Sequence, residues 1–520
     1  MENRAKLNKK TVIINSASSA LSILINISVL VWLQQYLLLR ITPEEYSILP
    51  LIMSLMAFTP LLTIILTGGI ARHITMAYIQ NKDREVSQIC TTMFPILCIT
   101  SLIIVAIGGT VALNIQAILN LPSHYIEDAK LMLSLQVFIL ALSLPLSVFN
   151  SAFVVKQKLL LQDVINLSCQ ILRLILLLSL FTIISVEVKW VVISTVSAEL
   201  VNLVVSSFVG IKLMPSLKIK TGKFRFELAR SIINYGIWNF IGQVSATIKQ
   251  AFDPLILNRF SDAINVATFH VASIAPRQLI LLLNPLIRPF IPVLNSIVAE
   301  NNNSKLKNTY LRTCRYHSWV LLCIAVPAII FSDKVMFLYL GGKYPETGPI
   351  MAILVLVTAL NGLNALGFAV AAARGTLRGI TIRILLIDFV NIILTVIFVV
   401  NFKAGAIGAA TATAISFVVL EISIKWPYCR KIAYTSTKEW ANEVVTPTLL
   451  LTIPSIIFCL IIKESNIINS IFELAAISII SLIIYLLFIL RFGLRIQDKN
   501  DLELLSKKYP KLKTVTDRLI

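Results

Sequence analysis

Four basic side chains, Arg173, Lys249, Arg277 and Arg288, fall inside stretches apolar enough to lie in a lipid bilayer, and Glu199 and Asp253 fall among them. Burying an ionisable group there costs a few kcal/mol or more, so each needs a chemical reason. Arg173, Glu199, Lys249 and Arg277 sit nearest the middle of their stretches, Arg288 nearer one end and Asp253 nearer the other. One reason is internal pairing. Lys249 and Asp253 are four residues apart, on one helix face, and Glu199 can partner Arg173 from the adjacent stretch. The other is anion binding: a guanidinium can grip carboxylate or pyrophosphate oxygens with two parallel hydrogen bonds, and a low-dielectric cavity strengthens that grip. Both can hold together, with the carboxylates moderating a net positive cavity. Asp388, Glu421 and Glu473 lie near the ends of their stretches, where reaching the interface is the simple expectation.

The elements that must position these groups are membrane helices. Apolar spans run over 11–39, 48–67, 89–113, 131–155, 164–184, 190–211, 232–258, 265–297, 316–340, 347–371, 381–400, 405–424, 445–462 and 468–490. Most have the length, about 20 residues, that a ~30 Å hydrocarbon core requires. With Arg383 and Lys334 assigned to the nearer loop, 34 of the 46 Lys and Arg residues lie on the side of the two termini, 8 on the opposite side and 4 inside spans. That asymmetry predicts a polytopic, all-α protein of the bacterial inner (cytoplasmic) membrane with both termini cytoplasmic. The first span is too long for a cleavable signal core and should remain as a helix.

Bulk composition narrows the possibilities further. With 57% hydrophobic and 14% charged residues, 520 residues leave no room for a large soluble domain. The net charge of +20 does not indicate nucleic acid, because the basic residues line the membrane edge of short loops, where they meet anionic lipid. Seven scattered cysteines without a CxxC pair read as small apolar helix residues, with no disulfide framework and no metal site. The sequence has no phosphate-binding P-loop, no HExxH, no nucleophile elbow and no paired catalytic acids, so no catalytic residue and no cofactor is expected. Of the four dispersed histidines only His270 is embedded in a span.

A faint duplication organises the spans. Asn15 and Arg40 bracket the first as Asn234 and Arg259 bracket the seventh, both pairs offset by 219 residues. Six spans per unit give parallel repeats, with the substrate path at their interface. The expected organisation is a six-helix lobe over 1–211, a basic linker over 212–231, a second six-helix lobe over 232–426, a helix pair over 427–492 and a cytoplasmic tail over 493–520. Gly405, Ala409 and Thr413, with Gly408, Ala412 and Ser416 beside them, mark a close helix–helix contact in the twelfth span. Pro285, Pro289 and Pro292 predict a bent eighth span.

Particular motifs then suggest a family. Arg40 to Arg72, RITPEEYSILPLIMSLMAFTPLLTIILTGGIAR, resembles the first hairpin of bacterial polysaccharide transporters, with Ser47 where a glycine is common. Asp253-Pro254-Leu255-Ile256-Leu257 resembles the end of their seventh helix, and the small-residue run from Gly405 resembles the start of their twelfth. The chain resembles an O-antigen or related polysaccharide flippase of the multidrug/oligosaccharidyl-lipid/polysaccharide exporter superfamily. The resemblance implies about fourteen helices, two six-helix lobes around a central cavity and a terminal pair. It implies that a polyprenyl-pyrophosphate-linked oligosaccharide moves from the cytoplasmic to the periplasmic leaflet by alternating access. Its charged groups would rest on Arg173, Lys249, Arg277 and Arg288 while the polyprenyl tail stays among membrane lipid. Because net charge crosses, ion coupling through Asp253 or Glu199 follows as an expectation. A polysaccharide polymerase and chain-length proteins are the expected partners. The competing readings are a drug or organic-cation antiporter of the same superfamily, a peptidoglycan-precursor flippase, and a membrane polysaccharide ligase or polymerase. The last would need a long periplasmic loop, and the longest here, 114–130, has about 17 residues.

Overall fold

The computed structural model describes residues 31–499 apart from 58, 60–62, 64–65, 68, 157, 220–223, 288–289 and 496–497. Among these residues every regular element is helical. In hydrocarbon there is no water to satisfy a peptide group, and an α-helix satisfies its own. The helices used below are α1 (Pro43–Met56), α2 (Ile70–Ile79), α3 (Asp83–Leu113), α4 (Ile126–Val155), α5 (Leu159–Ile183), α6 (Val188–Leu213), α7 (Phe226–Phe260), α8 (Ala263–Ala272), α9 (Ile274–Ile287), α10 (Phe290–Ala299), α11 (Asn303–Ile330), α12 (Thr347–Asn361), α13 (Leu377–Val396), α14 (Gly405–Ser416), α15 (Thr446–Glu464) and α16 (Ile471–Phe488).

Eleven helical stretches among the described residues are long and apolar enough to cross a membrane. They correspond to the expected spans three to six and eight to fourteen. The first and second expected spans fall partly on residues outside those described. The seventh is α7, a single helix of 35 residues diluted by Asn234, Asn239, Gln243, Lys249, Gln250 and Asp253. The eighth comprises α8, α9 and α10, with a one-residue junction at Ser273, and the bend expected around Pro285, Pro289 and Pro292 falls on residues 288–289, outside those described.

The chain divides into two compact units, Met1–Ala267 and Thr268–Ile520. In the first, α4 packs along α3 and α6, α5 along α6, and α7 along α1 and α3. The α4–α6 contact is close because Gly210 has no side chain: a Cβ there would lie 2.4 Å from the carbonyl oxygen of Phe149. Small residues are what let membrane helices approach, since lipid tails remove any hydrophobic drive for helices to associate. In the second unit α11 packs on α12 and α15, α12 and α13 on α14, and α15 on α16. The small residues of the twelfth span form the buried face of α14, from Gly405 and Ala406 to Thr413 and Ser416. Across that face Asn391 Nδ2 donates to Thr413 Oγ1 at 3.3 Å and to Ser416 Oγ at 3.4 Å.

Of the carboxylates near span ends, two are buried and the third is exposed at a helix start. Glu421 is buried and ion-paired with Lys425, one turn on in a π-helical stretch, Phe417–Lys425. Asp388 is buried as well. Glu473 closes a capping box with Ser470 at the start of α16, each satisfying a backbone N–H that the first helical turn leaves unpaired. The seven cysteines carry no disulfide.

The Gly210 contact gives a direct stability test. Gly210→Ala pushes α4 and α6 apart and should cost about 1–3 kcal/mol, whereas Gly109→Ala meets nothing within 4 Å. Thermal melting in detergent should therefore drop by several degrees for the first substitution and stay unchanged for the second.

Candidate functional site

The backbone break inside the eighth span is the most developed chemical feature near a mid-span charge. α8 ends at Ala272 and α9 begins at Ile274, with Ser273 between them. Pro276 is one cause: with no N–H it cannot bond back to the carbonyl of Ala272, and its ring crowds the turn before it. The Ser273 hydroxyl donates back along the helix to the Phe269 carbonyl at 2.6 Å and the His270 carbonyl at 3.0 Å, not to the Ala272 carbonyl that Pro276 frees. Arg277, one turn on, donates from Nη2 to the same Ser273 hydroxyl at 2.8 Å. His270 is 3% exposed and lies within electrostatic reach of Arg277. The neighbouring Gln278 keeps its Oε1 buried without a hydrogen-bond partner. The interruption is one residue long: the Ser273 N–H still bonds the Phe269 carbonyl at 3.0 Å and the Arg277 N–H the Ser273 carbonyl at 3.3 Å, and Ala263–Leu283 remains one stretch long and apolar enough to cross a membrane. The break at Ser273 was not foreseen from the sequence, although Pro276 marks it.

The other expected site residues lie elsewhere. Arg173, in α5, is half-buried. Its Nη1 reaches Gln170 Oε1 at 3.5 Å, and its Nε is buried without a hydrogen-bond partner. Glu199 lies on an exposed part of α6, and no ion pair joins it to Arg173. The adjacent-span pairing open to those two is therefore not made. Asp253 is buried in α7 at 5% exposure. Lys249 lies one turn before it on α7, with its side chain outside the described residues, and Arg288 lies outside them altogether. Arg173, Glu199, Lys249 and Asp253 thus belong to the first unit and Arg277 to the second. Among the described residues no cluster of three or more His, Cys, Asp or Glu could hold a metal ion.

A second polar assembly sits at the lysine- and arginine-rich end of the second unit. The carboxylate of Asp498, just past α16, accepts from Arg312 Nε at 2.8 Å, Arg315 Nη2 at 2.6 Å, the Arg495 backbone N–H at 3.0 Å and the Tyr316 hydroxyl. Glu443 pairs with Arg315 at 3.3 Å and with Arg495 at 3.4 Å. Arg312, Arg315, Arg495 and Glu443 line an open cleft of about 570 Å³ together with Lys307, Glu439 and Leu494. Burial works against the charged form of Asp498. The hydrogen bonds from Tyr316 and the Arg495 backbone, with the charges of Arg315 and Arg312, outweigh it and hold the carboxyl below its usual range. A depressed folded-state pKa supplies stability that is present above the unfolded value, near 4, and fades as the pH falls through the folded one. Asp498→Asn should therefore melt earlier than the parent at neutral pH, by an amount on the order of a few kcal/mol for a broken buried pair. Melting curves should converge on acidification.

Comparison with known proteins places this geometry. A family model described as "Polysaccharide biosynthesis protein" matches residues 37–349. No curated protein sequence matches significantly. Among solved structures, the fold is similar to the inward-facing conformation of a multidrug resistance MATE family transporter of the MOP superfamily, with a TM-score of 0.65 and 15% identity over 78% of this chain and 94% of that one. It is also similar to a MOP superfamily transporter from Pyrococcus furiosus described as having a binding pocket of reverse polarity, with a TM-score of 0.58 and 15% identity over 82% and 97%. The outward-facing conformation of a multidrug resistance MATE family transporter follows at a TM-score of 0.56 and 15% identity, over 81% and 95%. At such identities the likeness is one of fold.

Proposed function

We propose that this chain, which belongs to the polysaccharide biosynthesis protein family, is a multi-pass membrane transporter whose cargo is a polyprenyl-pyrophosphate-linked oligosaccharide. In this reading the protein lies in a bacterial inner membrane with both termini cytoplasmic, and alternating access carries the headgroup to the periplasmic leaflet. The observation that carries the proposal is the guanidinium of Arg277, half-buried beside the Ser273 break in a membrane-spanning helix. Such a group attracts an anion, and its planar fork suits the oxygens of a pyrophosphate. Arg173, Lys249 and Arg288 are the further cations proposed for the path. The sugar would cross in water, because stripping its hydroxyls of hydrogen bonds costs several kcal/mol each in hydrocarbon. The polyprenyl chain would stay in lipid.

Moving a pyrophosphate carries negative charge outward, which a coupled ion can balance. Asp253, buried in α7, is the first candidate carboxylate and Glu199 the second. Multidrug transporters share the fold, which keeps export of organic cations as a second reading. The central embedded charges lean basic here and would repel such a cargo.

Complementation tests the proposal. Cells lacking their own flippase should regain surface polysaccharide when they carry this protein. They should fail to regain it with Arg277→Ala or Lys249→Ala at equal abundance in the membrane, a loss of at least tenfold. Full restoration by both variants would remove the anion path. Efflux of a cationic dye without any restored polysaccharide would favour the second reading.

A further inference from the structure

α7 is fastened to the first unit at both ends, by different chemistry. At its beginning the backbone of Ile232 runs against Gly69, where a Cβ would lie 2.5 Å from the Ile232 carbonyl oxygen, and His73 Nε2 lies 3.3 Å from Ser231 Oγ. At its end, on the side poor in lysine and arginine, Asn258 and Arg259 meet Asn120 in the loop after α3. The side-chain amide of Asn258 pairs with the peptide of Asn120 as another strand would, accepting from its N–H at 2.9 Å and donating to its carbonyl at 3.0 Å. Asn120 Nδ2 in turn donates to the carbonyls of Asn258 at 3.3 Å and Arg259 at 3.4 Å. Arg259 Nη1 completes the set on Asn120 Oδ1 at 3.2 Å. The carbonyls so capped belong to the last turn of α7, which a helix leaves without partners of its own.

This clasp joins residues 138 positions apart, and nothing in the local sequence of either segment requires it. Between the clasp and the body of α7 stands Pro254, where the helix loses one hydrogen bond and gains a place to bend. Asp253 is next to it and buried. We propose that the Asn120–Asn258 pair is the outer latch of the transport cycle. Closed, it holds the end of α7 against the loop after α3. Opening it frees that end to swing about Pro254 and exposes the interior of α7 to the periplasmic side. Both asparagines act as positioning residues and touch no cargo. The inference rests on the alternating-access reading above, but its test does not depend on the identity of the cargo.

The test uses the full chain with its native cysteines replaced, Asn120→Cys and Asn258→Cys as the latch pair, and Thr247→Cys on α7 as a reporter for a membrane-impermeant maleimide added from outside. Oxidation should join the latch pair, cut labelling at 247 by tenfold or more and abolish restored polysaccharide, with reductant reversing all three. In a separate single-reporter protein, Asn120→Ala with Asn258→Ala should raise outside labelling about fivefold, as loss of two or more modest hydrogen bonds implies. Failure of the pair to cross-link, equal labelling before and after oxidation, or no labelling in either state overturns the latch. If labelling responds as expected but the parent protein, with both asparagines in place, restores no polysaccharide, the latch stands and the lipid-linked oligosaccharide reading falls.

Discussion

A peptide group in hydrocarbon has no water to bond, and that single constraint organises this molecule. It makes the described chain helical, and it makes each interruption of a helix costly unless a side chain or a neighbour supplies the missing partner. At the α8–α9 junction the Ser273 hydroxyl adds bonds to the Phe269 and His270 carbonyls and receives Arg277. At the end of α7 the partner is Asn120, whose amide caps the final carbonyls. At the start of α16 it is the reciprocal pair of Ser470 and Glu473. The polar side chains of this protein are placed largely where backbone would otherwise be orphaned.

The same constraint decides what the sequence could reveal. Membrane spans are legible because the length and apolarity they need are local properties, and eleven of those expected are found as helices among the described residues. The buried small-residue face of α14 was equally legible, since its i, i+4 spacing is itself the packing device. Arg277 was legible as a cost that demanded an explanation. The Ser273 break lay one inference away: Pro276 removes the bond to the residue four before it, and a serine stands in that gap. Glu473 lies exposed at the end of its span, and the capping box it forms with Ser470, three residues earlier, was there to be read as well. Glu421 was misread as an interfacial carboxylate, and Lys425 four residues on, in the favourable acidic-before-basic order, is the signal that would have corrected it.

What stayed illegible depends on residues far apart in the chain. Asn120 and Asn258 look like two unremarkable polar residues near helix ends until folding sets them side by side. Asp498 reads as one charge in a basic tail, and only the fold shows four donors converging on its carboxylate. Arg173 and Glu199 show the converse, an attractive pairing on paper that the rotation of α5 and α6 does not make.

These long-range contacts also share a physical character that bears on motion. The clasp on α7 consists of neutral amide bonds and one guanidinium bond, with Asn120 and Arg259 exposed and Asn258 buried, and such bonds are worth about 0.5–1.5 kcal/mol net. The Gly69–Ile232 and Gly210–Phe149 contacts set a glycine against the neighbouring backbone carbonyl, and opening them forfeits close packing. Small-residue contacts are therefore the fixed seams of the first unit and the asparagine clasp is its releasable one. The two kinds differ in what opens them: the seams keep packed helices together as bodies, and the clasp needs only a few kcal/mol of differential affinity to release. Asp253 and Pro254, one turn from the clasp, stand where a change of charge and a change of helix direction can be traded for one another.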